Sequence, residues 1–375
     1  MGRQAGIDNT TILRGTVVSA IPRDTDRSHY LAVVAGDKPG QRLRLAAQPV
    51  VIGRSAPADW ILEDGEISRT HCRVSLVLDE VLVVDLESSN GTYIEGTRLT
   101  AGSVLPIGAR LQIGTHVIEH QWLSRQEVED LQALSQDVTK AGQYIQSQLP
   151  KPMRSGPVRC DWALVPSARL GGDAFGYRAL TERYTAIYAI DVAGHGAGAG
   201  MHAVSILNIL GRGALPVTDF QDPANVLETL NVMFESKFHG GMSASVWYGV
   251  YDSERRRLKF GSAGYPPAFL VPAKRERAIP LETPAPEIGV KRGYKFTSSR
   301  IDVPPNSSLY VFSDGAYQYA MKDGSEGTLD AFVSLLLLPP VAGRTEAQRL
   351  LAEARGRAVS EELEDDFSLM AFKFL

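Results

Sequence analysis

Cysteine is nearly absent from this chain: Cys72 and Cys160 are the only two, far apart and with no metal-ligand spacing around either. That argues against a disulfide framework and against a thiolate-held zinc, and it suits a reducing cytoplasm, where we expect the protein to reside. Long apolar runs are also missing. The longest, from Val333 to Leu338, stops at Pro339 and Pro340 and is far too short to span a bilayer, and no apolar signal-type stretch marks the N-terminus. There is no excess of positive charge either. The net charge of −4 leaves no basic field for nucleic acid. What is present, 44% hydrophobic and 22% charged residues over 375 positions, is the composition of a soluble globular chain with room for two or three domains.

The pattern divides the chain into four stretches. Residues 1–28 read as a poorly ordered tail. Residues 29–122 hold many short β-type runs bounded by Gly, Asp, Asn or Pro, the spacing of an all-β sandwich. Residues 123–150 change character: one glycine, no proline before Pro150, and Val128, Leu131, Leu134, Val138, Ala141, Ile145 and Leu149 recurring at threes and fours. This predicts a linker helix over Ser124–Leu149 with Ser124 as N-cap and Glu127 as its capping-box partner. The stripe is narrow enough either to lie on the following domain or to form a coiled-coil seam pairing two chains. Residues 151–375 alternate strands and helices, Pro223–Phe238 and Thr345–Val359 among the expected helices, and predict an α+β fold, two sheets with helices outside.

Three loop motifs stand out in the sandwich region: Gly53-Arg54-Ser55, Ser68-Arg69-Thr70-His71 and Ser88-Ser89-Asn90-Gly91-Thr92. A guanidinium presents a planar fork matched to phosphate oxygens, serine hydroxyls add charge-assisted bonds, and a carboxamide can clamp the main chain of an extended peptide. Each motif alone is more often an ordinary turn. Together, in this order, they resemble the forkhead-associated (FHA) domain, a β-sandwich that recognises phosphothreonine peptides. The resemblance implies that Arg54, Ser68 and Arg69 contact the phosphate, that Ser89 and Asn90 hold the peptide backbone, and that Gly53 and His71 shape the loops. Glu95-Gly96 departs from the Asn-Gly usual at that tight turn.

The C-terminal region carries Gly171-Gly172-Asp173, Asp191-Val192-Ala193-Gly194-His195-Gly196, Ser313-Asp314-Gly315 and Glu364-Asp365-Asp366, several of them at ends of apolar runs. Four buried, uncompensated carboxylates would cost too much, and hard divalent cations with oxygen ligands resolve that cost. Mn²⁺ or Mg²⁺ suits such a set; zinc would want His or Cys. In order and spacing, with Ser262-Ala263-Gly264-Tyr265-Pro266-Pro267 between them, these motifs resemble the type 2C metal-dependent phosphatases of the stage II sporulation protein E and sigma-factor-regulating branch. The resemblance implies two divalent cations held by Asp173, Asp191 with the Val192 carbonyl, Asp314 and Asp365 (preferred over Asp366). It further implies hydrolysis of phosphoserine or phosphothreonine on a protein, an anti-anti-sigma-type regulator. The FHA module would bind a phosphothreonine partner that targets or regulates the enzyme.

Some positions depart from the family. Phe175 follows where a further acid is frequent, Tyr265 replaces a histidine and Gln318 a glutamate. They motivate the alternative of a catalytically weak phosphoprotein-binding adaptor. His195 reads as capping the glycine-rich helix rather than as a general acid.

Overall fold

The computed structural model describes residues 26–167, 170–194, 196–360 and 363–375. His195 and residues 1–25 of the expected tail lie outside the described residues. Arg27 and Ser28, expected in that tail, instead open a strand, Arg27–Ala35. The chain divides into two compact units, one ending at Ala133 and one beginning at Leu134. Among the described residues no helix is long and apolar enough to cross a membrane.

The first unit is a sandwich of two sheets. One has six strands, built around the antiparallel pair Arg27–Ala35 and His116–Ser124; the other has five, built around Val50–Gly53, Cys72–Val77 and Glu80–Asp85. In His116–Ser124 the side chains of His116, Ile118 and His120 turn inward while their neighbours stay half-exposed, the two-residue period of a strand covered on one face. Leu31, Val33, Ile52, Val74, Val83, Leu111 and Ile113 fill the space between the sheets. Glu95 and Gly96 both take positive φ in a tight turn, and the Glu95 carboxylate accepts from the Arg110 amide at 2.6 Å. Glutamate thus supplies a local bond in place of the left-handed preference of asparagine.

Helix α1 runs over Arg125–Gln148 and starts with the expected reciprocal cap: the Glu127 amide donates to Ser124 Oγ, and the Ser124 amide to Glu127 Oε2. Its apolar stripe is only partly covered. Val128, Ile145 and Leu149 are buried, whereas Leu131 and Leu134 are exposed.

The second unit stacks two five-stranded antiparallel sheets face to face. In one, Val158–Val165, Phe367–Phe374, Ser307–Phe312, Ala268–Val271 and Ile279–Leu281 are neighbours in that order. In the other the order is Asp173–Ala179, Tyr184–Val192, Ala244–Asp252, Arg257–Ala263, Ser299–Asp302. Helices α2 (Ala197–Arg212) and α3 (Pro223–Met233) cover the second sheet; α4 (Leu329–Leu336) and α5 (Glu346–Arg357) lie outside the first. Strands enclosed on both faces read as continuous apolar runs: all nine residues of Ala244–Asp252 are buried. Trp247, fully buried there, gives its indole N–H to the Leu281 carbonyl at 3.0 Å. Truncating such a residue to alanine costs about 3–5 kcal/mol.

Two sequence expectations shift. Asp173–Ala179 is a strand that the pattern did not reveal, because Gly176 interrupts it. A Cβ there would lie 2.5 Å from the Tyr188 ring, so the large ring on the neighbouring strand takes the place of a side chain. The helix expected over Pro223–Phe238 ends at Met233. Phe234 leaves helical geometry to enter the core, and a short 3₁₀ turn, Ser236–Phe238, follows.

Candidate functional site

The three loop motifs of the sandwich meet at one end of it. The Arg54 amide donates to the Ser68 carbonyl at 3.0 Å, the Ser89 amide to Ser68 Oγ at 3.0 Å, and the Ser68 and Ser89 hydroxyls stand 3.4 Å apart. Buried His71 locks the set. Its Nδ1 accepts from the Ser68 amide, so the ring proton sits on Nε2 and is donated to the Gly91 carbonyl at 3.0 Å. Asp85 gathers the third loop, accepting from the Ser88 amide, Ser88 Oγ and Thr92 Oγ1. Gly53 permits the closest approach: a Cβ at that position would lie 2.0 Å from the Arg69 carbonyl oxygen. The guanidinium-bearing side chains of Arg54 and Arg69 project from this frame into solvent. Asn90 is partly spent within the domain, its Nδ2 donating to the Glu66 carbonyl at 2.8 Å.

The acidic motifs of the second unit also converge. Asp191, Asp314, Glu364, Asp365 and Asp366 line one cavity of about 380 Å³, together with Ser245 and Glu287. Strand register explains part of this. Asp173 and Asp191 are directly paired near the ends of adjacent strands, and Asp314 and Asp366 lie just beyond the ends of Ser307–Phe312 and before Phe367–Phe374. Ser313 ties those two ends, its Oγ donating to the Asp366 carbonyl at 2.9 Å and accepting from the Ser368 amide at 3.1 Å. Glycine again allows close packing: a Cβ on Gly171 would fall 1.8 Å from Asp366 Oδ2, and one on Gly315 2.3 Å from the Asp366 carbonyl.

Among the described residues the charges on this cavity are unbalanced. Burial pushes the Asp191 carboxyl up to about 7, with Asp314 and Asp365 adding to it and a hydrogen bond from Ser245 working the other way. Asp314 is raised by burial and then by Asp365. Asp173 is raised well above the usual carboxylate range by burial, Asp191 and Asp366, and its buried Oδ2 has no hydrogen-bond partner among the described residues. Among the described residues no three such side chains already stand close enough together to hold a metal ion. The donor set nonetheless fits divalent cations in kind: carboxylate oxygens that repel one another, one of them orphaned, beside a polar cavity.

The two candidates at the last motif differ in setting. Asp366 is buried and occupied by hydrogen bonds from Ser167 N, Ser167 Oγ and Asp173 N. Asp365 is exposed and spends one oxygen on the Asp366 amide. Asp173 itself does not line the acidic cavity. It forms a wall of a smaller neighbouring one of about 200 Å³, with Asp366, Leu170 and Ile145 of α1. Sequence reasoning missed Glu287, and it named Tyr265 without placing it beside the carboxylates. Glu287 reaches the acidic cavity from a loop without motif character and accepts the Ser243 hydroxyl. Tyr265, read as a departure, is buried with its hydroxyl unpartnered, its pKa raised by burial and then by Asp173 and Asp191. Gln318 lines an adjoining cavity that shares Asp365 and Glu364.

Two antiparallel sheets between helices, with carboxylates gathered at strand ends, define a domain of the PP2C phosphatase fold, preceded by an FHA domain. A family profile described as stage II sporulation protein E (SpoIIE) matches residues 181–375, just over half of the sequence, and an FHA profile matches residues 50–114. The chain belongs to the stage II sporulation protein E family. The FHA domain-containing protein FhaB of Mycobacterium tuberculosis (strain ATCC 25618 / H37Rv) is 39% identical over 107 residues, 28% of this chain and 68% of that one. Phosphoserine phosphatase RsbP of Bacillus subtilis (strain 168) is 26% identical over 173 residues, 45% of this chain and 42% of RsbP. The SiaA-PP2C domain of Pseudomonas aeruginosa superposes with a TM-score of 0.56 at 17% identity, covering 67% of this chain and all of that domain, a likeness of fold.

Proposed function

We propose that Asp173, Asp191 with the Val192 carbonyl, Asp314 and Asp365 hold two divalent cations, Mn²⁺ or Mg²⁺, and that the chain hydrolyses phosphoserine or phosphothreonine on a protein. The observation that carries this reading is Asp191: among the described residues Asp314, Asp365 and Asp366 all act against its charge, a setting that divalent cations would relieve. When bound, such ions lower the pKa of a coordinated water and neutralise phosphoryl oxygens. The protein's own part is placement. Ser245 Oγ, 3.4 Å from Asp191 Oδ2, steadies that carboxylate, and Ser313 fixes the turn that presents Asp314 beside Asp365 and Asp366. The likeness to RsbP supports phosphoserine, and the sporulation-protein branch supports a small anti-anti-sigma-type regulator as substrate.

Arg54, Ser68 and Arg69 take the phosphate of a phosphothreonine partner, with Ser89 and the remaining hydrogen-bonding capacity of Asn90 on its backbone. That partner targets the cytoplasmic enzyme or shifts its activity. Exposed Leu131 and Leu134 on α1 support pairing of two chains along this helix.

The test is Mn²⁺- and Mg²⁺-dependent hydrolysis of p-nitrophenyl phosphate and of a phosphoserine peptide. Asp314→Asn should lower the rate on the order of 100-fold or more. Wild-type protein inert with both metals would favour the adaptor reading, in which the chain binds phosphoproteins without turning them over.

A further inference from the structure

A second polar cavity, of about 220 Å³, lies at the C-terminal end of α2, where the last residues of the α1 segment meet the edge strand Asp173–Ala179. It is lined by Gln148, Arg178, Tyr188, Asn208 and Arg212, with no carboxylate in its wall. We infer that this cavity is a binding site for a small phosphate-bearing anion, distinct from the acidic cavity.

Four observations support this. Arg178 makes no ion pair among the described residues, and its buried Nε has no hydrogen-bond partner. Its guanidinium carbon lies 4.7 Å from the centre of the Phe220 ring, a cation–π contact that brings no negative charge beside it. Arg212, in the last turn of α2, is exposed and likewise lacks a carboxylate partner among the described residues. Tyr188 brings its hydroxyl to the same space because residues 176 and 211 are glycines: a Cβ on Gly176 would strike its ring at 2.5 Å, and one on Gly211 would sit 3.4 Å from its oxygen.

The lining therefore offers two fixed positive charges, two side-chain amides and a phenol, a donor set matched to an oxyanion. The end of α2 opposes an anion with about half an elementary charge, against two full guanidinium charges. The balance stays positive. A volume of this size has room for inorganic phosphate or a small phosphomonoester. The cavity also lies apart from the acidic one. Side chains alternate along Asp173–Ala179, so Gly176 and Arg178 face away from the side that carries Asp173.

The experiment uses the full chain carrying Arg54→Ala and Arg69→Ala, in EDTA, so that neither the FHA guanidinium groups nor bound metal answers for phosphate. Inorganic phosphate and, separately, O-phosphoserine are titrated calorimetrically at constant ionic strength. Saturable binding is expected, weakened about tenfold or more by Arg178→Gln and by Arg212→Gln. Tighter binding of one titrant assigns the source as free phosphate or monoester. Arg212 is exposed, so its replacement reads the site even if Arg178→Gln fails to fold. No saturable binding of either titrant, or unchanged affinity in Arg212→Gln, overturns the inference. Because metal is absent throughout, the outcome is independent of whether the acidic cavity hydrolyses phosphate esters.

Discussion

Replacing Asp64 with asparagine tests how one carboxylate holds the phosphate-reading end of the sandwich. Asp64 Oδ1 accepts from the Glu66 amide at 2.8 Å, and Oδ2 from the Thr115 amide and Thr115 Oγ1, both at 2.8 Å, with His116 Nδ1 at 3.4 Å. The loop that continues to Ser68 and Arg69 is thereby tied to the turn between Arg110–Ile113 and His116–Ser124. Burial works against the charge on this side chain, which is 8% exposed, but the hydrogen bonds outweigh it and bring its pKa from 3.8 to about 2. That displacement corresponds to about 2 kcal/mol. Asparagine keeps a single acceptor and turns an N–H₂ toward donors, so most of this stabilisation should go.

Native-state hydrogen exchange at neutral pH reads the effect locally: amides of the sandwich strands should exchange roughly 30-fold faster in Asp64→Asn. Because the folded pKa lies below the unfolded one, the stabilisation is complete above pH 3.8. It fades as the pH falls from there toward 2, and the two proteins should converge. Affinity for a phosphothreonine peptide should also fall, since Glu66 to Arg69 lose their anchor. Exchange within twofold of wild type at neutral pH would refute the reasoning.

Two glycine substitutions separate the functions. Gly53→Ala drives a methyl against the Arg69 carbonyl, 2.0 Å away, and should weaken phosphothreonine-peptide binding about tenfold or more in fluorescence anisotropy while leaving metal-dependent hydrolysis intact. Gly171→Ala places a methyl 1.8 Å from Asp366 Oδ2 and should do the reverse, cutting Mn²⁺-dependent turnover about tenfold or more with peptide affinity unchanged.

The parts of the fold legible in the sequence are those specified within a few residues. The Ser124–Glu127 capping box, the start of α5 at Thr345 and the start of α3 at Asp222-Pro223 depend on contacts three or four positions apart at most, and they stand where the pattern put them. The end of α3 depended on Phe234 finding a place in the core, which no local pattern encodes. The strand Asp173–Ala179 was hidden because the side chain that completes it at Gly176 belongs to Tyr188, on another strand.

The candidate site divides in the same way. By itself the sequence determined which carboxylates border glycine at strand ends, and which Arg, Ser and Asn residues sit in the sandwich loops, because those are properties of residue type and neighbours. Only the tertiary structure decided that Glu287 and Tyr265 stand beside the acidic residues, that Asp366 is held by hydrogen bonds while Asp365 faces the cavity, and that Asp173 looks into a different one. Those facts are distances across separate strands and loops. They arise when two sheets pack, and burial and charge take their values only once that packing exists.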